Sequence, residues 1–149
     1  MKSVTPKPIH YVPAPDHIYT LTRALSFATN VRPPFAIVMH YAALNQDGLL
    51  TLRPGFSWDG PSGPCPALIC LMRASAGHDA FCRMIRAGSL PKKLQRRVDR
   101  FFYRIAREDA TPLMIATVTY LALLIYDLTG CASLDRALYE ATERTATNE

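Results

Sequence analysis

The stretch ALICLMRASAGHDAFCRMIRA, residues 67–87, decides the fold. Leu, Ile, Met, Ala and Phe recur through it without a proline, and Gly88 and Pro91 follow as a helix stop and the next helix start, so a helix is predicted over Ala67–Ala87. Ten of the twelve prolines fall at or before Pro66. The chain therefore divides into an extended, turn-rich first half and a helical second half.

Upstream, residues 1–16 read as an extended arm, 17–53 as strands and 54–66 as a Gly/Pro-rich loop, with the helical part over 67–146, all in one domain spanning 1–149. His17–Thr29 and Phe35–Ala43 carry β-branched and aromatic residues, and Asn45-Gln46-Asp47-Gly48 reads as a turn into Leu49–Arg53. One small antiparallel sheet containing a hairpin is expected.

Downstream, Pro91–Glu108 places Leu94, Val98, Phe101, Phe102 and Ile105 on one face, while Lys93, Arg97, Arg100, Arg104 and Arg107 repeat the same period on the other. A third helix begins near Thr111-Pro112 and should end at Gly130; being apolar nearly all round, it is expected to be buried on several sides. A short fourth is predicted from Ser133 towards Arg144. The fold class is α+β, a small N-terminal antiparallel sheet followed by three or four helices.

At 149 residues, 49% hydrophobic and 19% charged, the composition suits a single globular domain and disfavours extensive disorder, collagen-like repeats or a multi-span membrane protein. The net charge of +5 is local: Arg83 to Arg107 holds nine basic residues and one acid, a net +8, leaving −3 elsewhere. Such a stripe attracts nucleic acid, anionic lipid or an acidic protein, although charged helix faces are most often simply solvated. Cys65, Cys70, Cys82 and Cys131 lack the spacing of a zinc ribbon and are expected to be reduced, mostly buried thiols. Met1–Asp16 has four prolines and no apolar run, so no export signal is expected and the protein should stay where it is made. Leu113–Tyr126 is too short for a membrane span.

Within the 67–87 helix, Ser75, His78, Asp79 and Cys82 share one face. Burying an aspartate and a histidine there requires partners. Asp99, at the margin of the next helix's apolar face, is expected to approach His78 across an antiparallel hairpin. The loop Gly55-Phe56-Ser57-Trp58-Asp59-Gly60-Pro61-Ser62-Gly63-Pro64 can hold Asp59 and Ser62 in place, and also reads as plain turn chemistry. Asp59, His78, Asp79 and Asp99 are the candidate catalytic residues, with Ser62 and Ser75 as ligand-orienting groups. His78, Asp79 and Asp99 are candidate ligands for a divalent ion such as Mg²⁺, Mn²⁺ or Zn²⁺, which would activate water for hydrolysis. The plainer alternative pairs Asp79 with Arg83 at i,i+4 and makes His78 a hydrogen-bonded core residue. Nucleophilic catalysis has less support, with no Gly-x-Ser-x-Gly elbow and Cys82 read as a buried thiol, and nucleotide-binding glycine loops are absent.

Gly-Phe-x-x-Asp-x-x-Ser-x-Pro at Gly55–Pro64, then Ala-x-x-x-His-Asp at Ala74–Asp79 and Arg97-Val98-Asp99, resembles a family of short phage and prophage proteins classed as a domain of unknown function. The resemblance covers roughly Leu49–Asp127 and implies a phage-encoded protein, often beside structural or lysis genes, in the host cytoplasm or the virion; no activity comes with it. The His-Asp pair is also distantly similar to HD-type metal-dependent phosphohydrolases, in which case His40 would be the upstream histidine. Two functions are expected on this basis. One is a metal-dependent hydrolase using the Asp/His-Asp/Asp site. The other is a non-enzymatic phage accessory or virion protein, a homo-oligomer or a binder of a phage structural protein, whose Asp/His cluster is structural and whose basic helix meets a partner through Lys93, Arg97, Arg100 and Arg104. Nucleic-acid binding ranks below both, since aromatic residues do not interleave with the basic face.

Overall fold

A computed structural model describes residues 7–61 and 69–129. The architecture is α+β, as the sequence predicts, but the strands form two antiparallel sheets rather than one. The first has the order β1(Tyr11–Ala14), β2(Ile18–Leu21), β7(Ser57–Trp58). The second has the order β3(Leu25–Ala28), β6(Leu49–Leu52), β5(Ala42–Leu44), β4(Ile37–Val38).

The break between the sheets falls at Thr22-Arg23-Ala24, inside the stretch expected to be continuous strand. Leu21 pairs its backbone outward instead: its N–H donates to Phe56 O at 2.8 Å and its carbonyl accepts from Gly55 N at 2.8 Å, which recruits part of the Gly/Pro-rich loop as β7. The N-terminal arm is likewise more ordered than its proline content suggests, because Tyr11–Ala14 pairs with Ile18–Leu21 through a turn in which Asp16 takes φ 64°.

Alternation explains the second sheet. Phe27, Leu44, Leu50, Leu52 and Ala42 point inward and are buried, while Ser26 and Thr51 pair outward across β3 and β6. The predicted Asn45–Gly48 turn joins β5 to β6: Gly48 N donates to Asn45 O at 3.1 Å, and Gly48 takes φ 87° against Thr29, whose Oγ1 donates to Gly48 O at 2.7 Å.

Three helices follow, α1(Ile69–Arg86), α2(Gln95–Glu108) and α3(Leu113–Thr129). α1 ends as expected at Gly88, with φ 77° and its N–H bonded to Ile85 O at 3.0 Å. Pro91 precedes a short 3-10 turn at Lys92–Leu94, so α2 begins four residues later than its sequence start signal. α1 and α2 form an antiparallel pair over the second sheet, with Phe101 of α2 edge-on to Phe27 and Phe81. α3 packs on α2 through residues that include Ala116, Thr119 and Tyr120, the last beside Tyr103.

The expected burial of α3 on several sides is not what the described residues show. Leu113, Met114, Val118, Leu121 and Ile125 are each at least half exposed. Hydrophobicity around the whole circumference requires a cover on every side only if the cover belongs to the same fold. Among the described residues no helix is long and apolar enough to cross a membrane. The predicted fourth helix, Ser62, Cys65 and Cys131 lie outside the described residues.

Gly77 marks the closest approach of α1 to the core: a Cβ there would lie 2.7 Å from Phe101 Cε1 and 3.2 Å from Phe27 Cε2. Phe101 is wedged between Phe27 and Phe81 and has nowhere to move, so overpacking outweighs the gain in helix propensity. Gly77→Val is expected to lower stability by about 2 kcal/mol, measured by urea denaturation.

Candidate functional site

His78 and Cys82, two of the four residues on the polar face of α1, meet α2. His78 Nε2 donates to Asp99 Oδ1 at 2.8 Å, and Gln95, one helical turn before Asp99, donates its Nε2–H to the same oxygen at 3.1 Å. Asp99 is fully buried, and the His78 side chain is 14% exposed. The ring lies edge-on to Phe102, so its hydrophobic surroundings come from the same helix that supplies its carboxylate.

Cys82 completes this group. Its sulfur is 3.6 Å from His78 Nδ1 and 3.9 Å from Nε2, and Gln95 Nε2 approaches it at 3.6 Å. A thiol aligned with the lone pair of one ring nitrogen would lie much farther from the other. The near-equal distances therefore place the sulfur beside the ring, not in line for transfer of its proton to Nδ1. Cys82 and Cys70 are both free thiols, partly rather than fully buried.

Burial alone would pull the His78 pKa down. The electrostatic influence of Cys82, the hydrogen bonds to Asp99 and Cys82 and the charge on Asp99 oppose it and win, holding the imidazole well above its ordinary 6.5. His78 and Asp99 thus form a buried ion pair between α1 and α2.

The other candidates lie on α1, just after β7 and in the β4–β5 connection. Asp79 pairs with Arg83 at 2.8 Å, one turn along the same helix. Arg83 also donates to Ser57 O and lies over the Phe56 ring at 4.6 Å, so this ion pair faces the β7 strand. Asp59 follows β7 and is half-buried. Ser75, expected to orient a ligand, accepts from Trp58 Nε1 at 3.0 Å and donates to Met72 O at 3.0 Å, which uses its hydroxyl hydrogen and one lone pair inside the core. His40 sits in the β4–β5 connection, exposed and edge-on to Tyr41.

Among the described residues no three His, Cys, Asp or Glu side chains converge as a metal-binding group. The proposed ligand set of His78, Asp79 and Asp99 is divided between two ion pairs because successive residues of a helix, 78 and 79, point about 100° apart. Of the four candidate catalytic residues, the structure brings His78 and Asp99 into contact.

Comparison with protein families, curated proteins and solved structures finds no match. Two buried residues escaped the sequence reading. Arg73 Nη1 meets Asp109 Oδ1 at 2.5 Å, with Asp109 also accepting from the Lys7 backbone N–H at 3.2 Å and the guanidinium over Phe27 at 5.2 Å. The signal was present: Arg73 is the one charged residue in the otherwise apolar and small stretch from 67 to 77.

The basic stripe splits in the same way. Arg104 donates to Ala28 O at 2.8 Å and Arg97 to Asn30 O at 3.5 Å, tying α2 to the end of β3, whereas Lys93 and Arg100 stand exposed beside Lys92 and Arg96.

An imidazole whose folded pKa exceeds its unfolded value adds stability that is complete below about pH 6.5 and is lost as pH rises through the folded value. The urea midpoint is therefore expected to fall as pH is raised above 6.5, a dependence that His78→Asn removes. Asp99→Asn, which takes away the buried charge facing the imidazolium, is expected to cost about 3 kcal/mol at pH 6.

Proposed function

We propose that this chain is a non-enzymatic accessory or structural protein, of the phage or prophage kind that its Gly-Phe-x-x-Asp and His-Asp motifs resemble. Its Asp/His cluster holds the fold together, and its basic helix face meets an acidic partner. One observation carries this reading: Asp99 is fully buried, with one carboxylate oxygen held by both His78 and Gln95. A carboxylate in that position has no route to a substrate, and the imidazole that would share its work is directed at it. Asp79 is likewise engaged by Arg83.

The partner surface centres on the exposed cations at the start of the basic stripe. Lys92 and Lys93 project from the turn before α2 and Arg96 and Arg100 from α2 itself, while Arg97 and Arg104, also exposed, donate to Asn30 O and Ala28 O. Four cations within nine residues favour an anionic protein surface, which they would steer and orient.

The test compares the wild-type protein, purified without a tag, with Asp79→Asn by elemental analysis and by melting with and without EDTA. The structural role predicts no stoichiometric divalent ion and a Tm indifferent to EDTA. A stoichiometric ion that Asp79→Asn abolishes would overturn it in favour of the hydrolase.

A further inference from the structure

We infer that Cys82 is a site of oxidation by hydroperoxides, where a sulfenic acid forms and is held between α1 and α2 by Gln95 and His78. Cys82 is a free thiol and partly exposed, which admits a reagent as small as hydrogen peroxide. Two nitrogens from different helices converge on its sulfur: Gln95 Nε2 of α2 at 3.6 Å, and His78 Nδ1, one turn earlier on α1, also at 3.6 Å. Electropositive, accessible surroundings of this kind are where cysteines are oxidised selectively.

A thiol accepts hydrogen bonds weakly, so these donors suit an oxygen better than they suit sulfur. Gln95 is held in place by Asp99: its amide nitrogen donates to the buried carboxylate at 3.1 Å and turns its other hydrogen to Cys82. His78 uses its Nε2–H on the same carboxylate, and as an imidazolium it carries a second N–H at Nδ1. The sulfur lies beside the ring instead of along that bond, and therefore satisfies it poorly. An oxygen bonded to the sulfur can turn to both donors, and its bond to the imidazolium is strengthened by charge.

The chemistry balances with the peroxide as oxidant. A sulfur electron pair attacks the hydroxyl oxygen of the hydroperoxide, an S–O bond forms and the O–O bond breaks. The other peroxide oxygen leaves with the thiol proton, as water from hydrogen peroxide or as an alcohol from an alkyl hydroperoxide. Sulfur loses two electrons, the peroxide gains them, and a thiol reductant restores the cysteine. Cys70 provides the contrast. It is also a partly exposed free thiol on α1, yet among the described residues no hydrogen-bond donor meets its sulfur, and it is the Cys70 carbonyl that accepts from Thr111 Oγ1.

The test exposes reduced wild-type protein to hydrogen peroxide with dimedone present and follows the labelling of each cysteine by peptide mass spectrometry. Cys82 is expected to label at least about tenfold faster than Cys70, the worth of one charge-assisted hydrogen bond. In urea, where both lose their surroundings, the two rates are expected to converge. Gln95→Leu leaves the His78–Asp99 pair in place and is expected to slow Cys82 about fivefold with an unchanged far-UV spectrum. Equal labelling of Cys82 and Cys70 in the folded chain overturns the proposal, as does a folded Gln95→Leu variant that labels at the wild-type rate. A ratio that persists in urea also overturns it, because the local sequence and not the meeting of α1 with α2 would then set the reactivity. The two wild-type measurements decide the matter even where the variant does not fold.

Discussion

Two buried carboxylates hold this molecule in register. Asp99 faces His78 in the middle of α1, and Asp109, just beyond α2, faces Arg73 near the start of α1. With Gln95 against Cys82, these contacts run along the two antiparallel helices like rungs. Hydrophobic side chains of similar volume could make the interface as stable, since burying charges is costly even when they are paired. Unlike apolar contacts, however, the ion pairs penalise every shifted register, because sliding one helix by a turn would strand a charge in the core. The polar rungs specify the arrangement that the apolar core alone would leave loosely defined.

The sheets are fastened to that helical pair by the same economy of polar groups. Trp58 bonds to Ser75, Arg83 reaches the carbonyl of Ser57 and covers Phe56, and Arg104 reaches the carbonyl of Ala28. Each contact joins a helix to the end or edge of a strand, where backbone carbonyls lack a ladder partner. Ser75, a ligand-orienting candidate by residue type, is one of these fasteners by position. Among the described residues the surface carries cations around the start of α2, an apolar face on α3 and exposed Phe35 and Val38 about β4.

Much of this was legible from residue order. The antiparallel approach of Asp99 to His78 followed from helix periodicity and a short connection, and the Asp79–Arg83 pair was one of two readings offered by i,i+4 spacing. Metal chemistry was the other reading. The deciding quantity between them was direction: side chains 78 and 79 diverge by about 100°, so one joins α2 and the other turns towards β7. Spacing in the sequence locates a side chain on a helix face but leaves open which neighbouring element that face meets.

Local chemistry determined the elements. Prolines before residue 67, the Asn45–Gly48 turn, the Gly88 stop and the apolar period of α2 act over a few residues, so they can be read without the fold. Tertiary structure alone decided the rest: the division of the strands into two sheets, the Arg73–Asp109 pair 36 residues apart, and the exposure of one side of α3. The physical reason is common to all three. Strand partners, buried counter-ions and helix covers are chosen by distant parts of the chain competing for the same surface, and that competition is settled only when the whole core closes.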